Sequence, residues 1–223
     1  MGVGREMDDS RNGTGDIGGA PEIPVTLSLP LKQALALAEQ HLQAGRLQAA
    51  EALCRDISRA RPDCAPALHL IGIIAYQVGN LPVAIDFVRR AVAADGSVAL
   101  YHCNLGEMCR LAGQREAALA AGLRAVALDP NMPQALNNIG IVHYERDEFD
   151  GAAALYRRAL ALAPNYVEAH SNLGNALRAQ KKYDEALVAY RRALQLRPAY
   201  AEAINNMGTA LRDMGRQGDA EAT

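Results

Sequence analysis

The chain has 223 residues, half of them apolar and only 4% aromatic, with no Trp and two Phe. A core drawn mainly from Ala and Leu suits closely packed helices and disfavours a β-sandwich, which relies on Val, Ile, Thr and aromatic side chains. The formal charge of −2 offers no cationic excess to neutralise a phosphate backbone, so nucleic acid is not the expected partner.

Residues 1–28 differ from everything after them. Gly2, Gly4, Gly13, Gly15, Gly18 and Gly19 mix with Asp8, Asp9, Asn12 and Asp16, and Pro21 and Pro24 follow. Such a segment buries too little apolar surface to offset its chain entropy, so a disordered leader is expected. It lacks the charged start and apolar run of a secretory signal. No apolar stretch in the chain approaches the ~18 residues of a membrane span. Cys54, Cys64, Cys103 and Cys109 form no CxxC pair, and read as core or loop thiols in a reducing compartment. The expected location is the cytoplasm.

From Leu31 onward a fixed period takes over. Glycine recurs every 34 residues at Gly72, Gly106, Gly140, Gly174 and Gly208, and alanine at Ala50, Ala84, Ala118, Ala152, Ala186 and Ala220. A period of this length means a solenoid of repeated supersecondary units. Blocks begin at Leu31, Ala65, Ala99, Pro133, Val167 and Ala201, giving units 31–64, 65–98, 99–132, 133–166, 167–200 and an incomplete 201–223. Pro30 fits the first turn of the first helix.

Each block carries two helical patterns. In the fourth, Leu136, Ile139, Gly140 and His143 share one face, and Ala152, Leu155, Tyr156 and Ala159 share another. Breaks fall at Gly45, Gly79, Gly113, Asp147, Lys181 and Gly215. Glycine tolerates the left-handed conformation that ends a helix, and Asp147 and Lys181 are expected to mark a different turn. Pro62, Pro130, Pro164 and Pro198 close the blocks, with Gly96 standing in once. Glycine inside a helix costs about 0.5–1 kcal/mol relative to Ala. Five at one phase therefore point to helices whose backbones touch at Gly and Ala, with Leu and Tyr filling the gaps.

This pattern resembles the tetratricopeptide repeat over residues 31–223. The family's small residues at unit positions 8 and 20 match Gly140 and Ala152, its bulky position 24 matches Tyr156 and Tyr190, its position 27 matches Ala159 and Ala193, and its closing proline matches Pro164 and Pro198. The first unit departs, with Ala38 for the glycine and Cys54 for the ring. The resemblance implies an all-α, right-handed superhelix of about six helix-turn-helix units, whose first helices line a concave groove. Within it, Ala169–Asn175 resembles repeats of the O-linked N-acetylglucosamine transferase and SPINDLY-like proteins, which carry asparagine at position 6. Here that position holds Asn104, Asn138, Asn172 and Asn206, after Ala36 and Leu70.

A row of carboxamides offers donors and acceptors to both sides of a peptide backbone. Each bond contributes about 0.5–1.5 kcal/mol net, so four give modest affinity. The alternative is that these asparagines tether neighbouring helices. Tyr76, Tyr144, Asn175 and Arg178 complete the candidate peptide-binding set; the tyrosines could pack ligand side chains, and Arg178, like Arg110 and Arg212 at the same unit position, could meet acidic groups. Ordinary solvation or packing against the next helix is the competing reading. Arg89-Arg90, Arg157-Arg158 and Arg191-Arg192 are expected on a solvated convex face.

In the second to fourth units, positions 2 and 5 hold Pro66, His69, Leu100, Cys103, Gln134 and Asn137 in place of the lysines and arginines with which the chaperone-tail version of the fold grips a carboxylate, so that mode is disfavoured. No HExxH, Cys/His cluster or glycine loop after a strand appears, and the histidines occupy packed helical positions. The expected protein is a scaffold for extended polypeptides with no catalytic site and no cofactor. The alternatives are the substrate-recruiting region of an O-linked glycosyltransferase and a structural assembly factor. The truncated sixth unit leaves the flank of Ile204, Met207 and Leu211 uncovered, so continuation of the chain, self-association or docking on a partner is expected there.

Overall fold

The computed structural model describes residues 29–221, with side chains described through Gly215; the expected leader, 1–28, lies outside these residues. Five antiparallel pairs follow one another: α1 (Leu31–Gln43) with α2 (Leu47–Ala60), α3 (Ala65–Gln77) with α4 (Leu81–Ala94), α5 (Ala99–Leu111) with α6 (Arg115–Leu128), α7 (Pro133–Tyr144) with α8 (Phe149–Leu162), and α9 (Val167–Ala179) with α10 (Tyr183–Leu196). A single long helix, α11 (Ala201–Glu221), completes the described chain. Each helix packs chiefly on its sequence neighbours, and first helices also touch the first helices of adjacent pairs. The architecture is an all-α solenoid, with no strand among the described residues.

The turn within each pair is set by backbone hydrogen bonding. After α1 the Gly45 N–H donates to the Leu42 carbonyl (3.0 Å) and the Arg46 N–H to the His41 carbonyl (2.9 Å). This pair of bonds is a Schellman motif, which satisfies carbonyls left over at the helix end. It recurs at Gly79 and Asn80, Gly113 and Gln114, Asp147 and Glu148, and Lys181 and Lys182. The different turn expected at Asp147 and Lys181 is not found. Both residues stand at φ 61°, in the same left-handed region as Gly45, Gly79 and Gly113. The bonding demand of the turn overrides the preference of the side chain, at a cost of about 1–2 kcal/mol for an ordinary L-residue.

Between pairs the chain leaves the helix in an extended conformation. Arg61, Asp95, Asp129, Ala163 and Arg197 have φ between −131° and −147°, each just before Pro62, Gly96, Pro130, Pro164 or Pro198. Proline imposes this on its predecessor. At Asp95, before Gly96, the side chain accepts from the Ser97 N–H (3.0 Å) instead. His102 and His170 donate through Nε2 to the carbonyls of Gly96 (3.0 Å) and Pro164 (2.9 Å), pinning two of these junctions.

The recurrent glycines meet two kinds of neighbour. A Cβ on Gly106 would lie 3.2 Å from the Ala118 carbonyl oxygen and 3.3 Å from the Gly122 nitrogen, so there backbone rests on backbone. A Cβ on Gly140 or Gly174 would instead lie 2.6 Å or 2.5 Å from Cε1 of Tyr156 or Tyr190. In those pairs the ring lies directly on the glycine, where the sequence suggested Ala contact with rings above and below. In the third pair, where Gly122 replaces the ring, Ile139 of the next pair fills the space, and its Cγ1 would be 2.7 Å from a Cβ on Gly122. The alanines at Ala50, Ala84, Ala118, Ala152 and Ala186 are all buried.

The break expected at Gly215 is absent, because α11 runs through it to Glu221. Among the described residues, nothing outside its own helix backbone lies within 4 Å of a Cβ built on Gly208.

Candidate functional site

The first helices α5, α7 and α9 line a concave hollow of about 590 Å³. Asn104, Asn138 and Asn172 all border it, one from each helix. Asn206 holds the equivalent place on α11, partly exposed and one helix further along.

The carboxamides are not equivalent. Asn104 Nδ2 lies 2.8 Å from His69 Nε2. With the amide donating, His69 accepts at Nε2 and carries its proton on Nδ1. Burial holds its pKa down to about 4, which keeps the ring neutral, and it packs against Tyr101 at 4.5 Å between centroids. Asn172 Nδ2 donates to Asn137 Oδ1 at 3.0 Å. In both cases position 6 of one unit reaches position 5 of the unit before, 35 residues earlier. For Asn138 that neighbour is Cys103, and for Asn206 it is Ser171. Among the described residues neither of these two amides makes a hydrogen bond, and the fully buried Ser171 Oγ has no partner either. An amide nitrogen has two protons. Asn104 and Asn172 therefore keep one N–H and the carbonyl oxygen, while Asn138 keeps its whole inventory at the centre of the hollow.

The other candidate residues are engaged differently. Asn175 Oδ1 accepts from the Tyr190 hydroxyl at 2.7 Å, which holds the buried ring in place on Gly174. Arg178 pairs with Asp213 on α11 at 3.0 Å. Arg110 likewise bridges Glu107 (2.8 Å) and Glu145 (3.7 Å). Arg212 turns back on its own helix, onto Thr209 and Gly208. Tyr144 packs on Phe149 with centroids 5.4 Å apart and rings tilted by 58°, and Tyr76 is half-exposed. The structure thus brings Asn104, Asn138 and Asn172 together and leaves Tyr76, Tyr144, Asn175 and Arg178 outside the residues bordering the hollow.

Sequence reasoning missed several wall residues: Gln134, Tyr166, Glu168, Tyr200 and Glu202. Tyr166 and Tyr200 are the last residues of their units, and Glu168 and Glu202 follow two positions later. This Tyr-x-Glu repeat was the available signal. The Tyr200 hydroxyl donates to Glu202 Oε2 at 2.7 Å, and burial pushes the Tyr166 phenol up to about 12. Three carboxylates, Glu107, Glu168 and Glu202, border the hollow against one guanidinium, Arg110.

Chemistry other than binding finds few participants. Burial pushes the Cys54 thiol up to about 12 and the Cys103 thiol up to about 11, so both stay protonated at neutral pH. No group of three or more His, Cys, Asp or Glu among the described residues is placed to hold a metal ion. No helix among them is long and apolar enough to cross a membrane.

Family models described as TPR repeat match residues 142–180 and 174–215, and models described as tetratricopeptide repeat match 35–99 and 72–133. Among solved structures, a thermophilic TPR protein of Thermus thermophilus is similar at 25% identity and TM-score 0.63, covering 81% of this chain and 98% of that one. The pilF protein of Pseudomonas aeruginosa is similar at 19% identity and TM-score 0.73, over 86% of this chain and 87% of that one. YrrB, described as a TPR protein with an unusual peptide-binding site, is similar at 20% identity and TM-score 0.63, over 77% and 89%. No curated protein sequence matches the chain.

Proposed function

Because the chain belongs to the tetratricopeptide-repeat family, we propose that it is a protein-interaction scaffold that holds an extended polypeptide in the concave hollow of α5, α7 and α9. The observation that carries this reading is Asn138, a carboxamide with no partner among the described residues, between two others that each retain unused hydrogen-bonding capacity. An extended segment exposes N–H and C=O groups at regular intervals, and a carboxamide meets both. Asn104, Asn138, Asn172 and Asn206 form the ladder in this proposal. The contacts to His69 and Asn137 orient two of its rungs, so tethering and binding are compatible roles for one side chain. Tyr76, Tyr144, Asn175 and Arg178 act at its margins, by packing or by holding neighbouring rings and helices. YrrB, the peptide-binding relative, lends the reading support at the level of the fold.

The test is an array of unstructured 15-residue peptides, with the tightest binders then titrated against the Asn138→Ala variant. Loss of an amide that makes two bonds should cost about 1–3 kcal/mol, a weakening of roughly 5- to 150-fold. Unchanged affinity with an unchanged circular dichroism spectrum would remove the ladder from the mechanism. A second reading, the recruiting region of an O-linked N-acetylglucosamine transferase-like enzyme, is motivated by the segment Ala169–Asn175 and uses the same ladder. It requires a transferase sequence beyond the codon for Thr223, and its absence from the gene would end that reading alone.

A further inference from the structure

On the side of α9 turned away from Asn172, a second hollow of about 560 Å³ runs between α8 and α10. Its lining is largely hydrocarbon: Leu160 from α8, Leu173 and Leu177 from α9, and Val188 and Ala189 from α10. Val188 is 63% exposed although it is apolar and β-branched on an outward helix position. The same position holds Ala120 and Ala154 in the two preceding units, so the side chain that deepens this slot is peculiar to α10.

The rim is cationic. Arg157, Arg191 and Arg192 border the slot with one acid, Glu185, which Arg157 engages at 3.3 Å. Arg192 donates only to the neutral Asn165 and Gln195, and Arg191 makes no hydrogen bond or ion pair among the described residues. Two guanidinium charges thus stand beside an apolar trough without a counter-charge.

We propose that this outer slot is a second docking surface, which takes an acidic amphipathic helix from a separate protein partner. The floor decides between a helix and an extended segment. An extended backbone laid on Leu160, Leu173 and Leu177 would lose water from its N–H and C=O groups with nothing to replace it, which is costly. A helix satisfies its own backbone and needs only an apolar ridge, which fits a furrow walled by two helices. The rim then selects the flanks: carboxylates on either side of the ridge meet Arg191 and Arg192, and lysines are repelled. The two faces of the solenoid therefore differ in kind, the inner one suited to bare backbone and the outer one to side chains.

The probe is a labelled helical peptide of about 16 residues with leucines at i, i+3, i+4 and i+7 and glutamates on the flanks, titrated by fluorescence anisotropy against the full chain. An isomeric peptide with lysines in place of the glutamates is the control. Saturable binding of the glutamate peptide is expected, at least about tenfold tighter than the lysine isomer, and weakened several-fold between about 50 and 500 mM salt. Val188→Asp, at an exposed site, should abolish binding without altering the dichroism spectrum. Arg191→Glu with Arg192→Glu should invert the preference between peptides, and Asn138→Ala should leave it unchanged. Equal affinity for both peptides, indifference to Val188→Asp, or no binding overturns the proposal. So does a Val188-dependent dimer of the peptide-free chain in light scattering, which would assign the slot to a second copy.

Discussion

Two glycines at the same unit position should respond to the same substitution in opposite directions. In Gly174→Ala the new methyl would sit 2.5, 2.7 and 2.8 Å from Cε1, Cδ1 and Cζ of Tyr190, against an ordinary contact of 3.4 Å or more. Tyr190 has no room to retreat, being fully buried with its hydroxyl held by Asn175. Relief requires α10 to move away from α9 or that hydrogen bond to break. Overpacking of this kind costs about 1–3 kcal/mol, and the better helix propensity of Ala returns about 0.5–1 kcal/mol. The net loss is about 0–2.5 kcal/mol. In Gly208→Ala the methyl meets nothing within 4 Å among the described residues outside its own helix backbone, so the propensity gain of about 0.5–1 kcal/mol remains. Urea denaturation followed by far-ultraviolet dichroism reads both, with a change of about 2–4 °C in Tm per kcal/mol as a second measure. Adding Tyr190→Leu to Gly174→Ala should recover part of the loss. The same sign for both single variants would refute the ring-on-glycine packing.

Lys181→Gly should stabilise the chain by up to about 1 kcal/mol, since it removes a side chain from a left-handed position, while Asp147→Gly gains less because Asp tolerates that region; a loss in urea midpoint for Lys181→Gly would show the lysine side chain has a packing role there. Stability should also fall in acid on account of His69. Its folded pKa of about 4 lies below the ordinary 6.5, so the unfolded chain takes up the proton first; the contribution is intact above pH 6.5 and is lost as pH falls from 6.5 to 4, by about 2–3 kcal/mol. His69→Gln should flatten urea midpoints across that window, and an unaltered profile would mean the ring is not held neutral by its surroundings.

The architecture was legible because a fixed 34-residue beat of glycine and alanine survives any error in a single element. Turn chemistry was less so. The side chains of Asp147 and Lys181 point to a different turn, yet the Schellman bonds depend on carbonyls and N–H groups that every residue here supplies. The long α11 departs from expectation at Gly215, where a glycine alone does not end the helix and the backbone continues to Glu221. On the concave face the row of asparagines stood out, but their unequal engagement did not. It depends on what lies 35 residues upstream: His69 and Asn137 accept, and Cys103 forms no such bond. The same interval links Arg110 to Glu145 and Arg178 to Asp213, so arginines free on paper are already neutralised in space. The outer slot was invisible for another reason, since Val188 gains meaning only from Leu160, Leu173 and Leu177 around it.

The missing ring at Gly122 determines where this array can be cut. Ile139, which fills that space, belongs to α7 and is itself 2% exposed, so the third hairpin borrows part of its interior from the fourth. A shortened version ending at the junction before Pro133 would open a void in α5 and α6 and loosen them. One ending after α8 would carry the plug along with it, and its last complete hairpin would close on its own Tyr156.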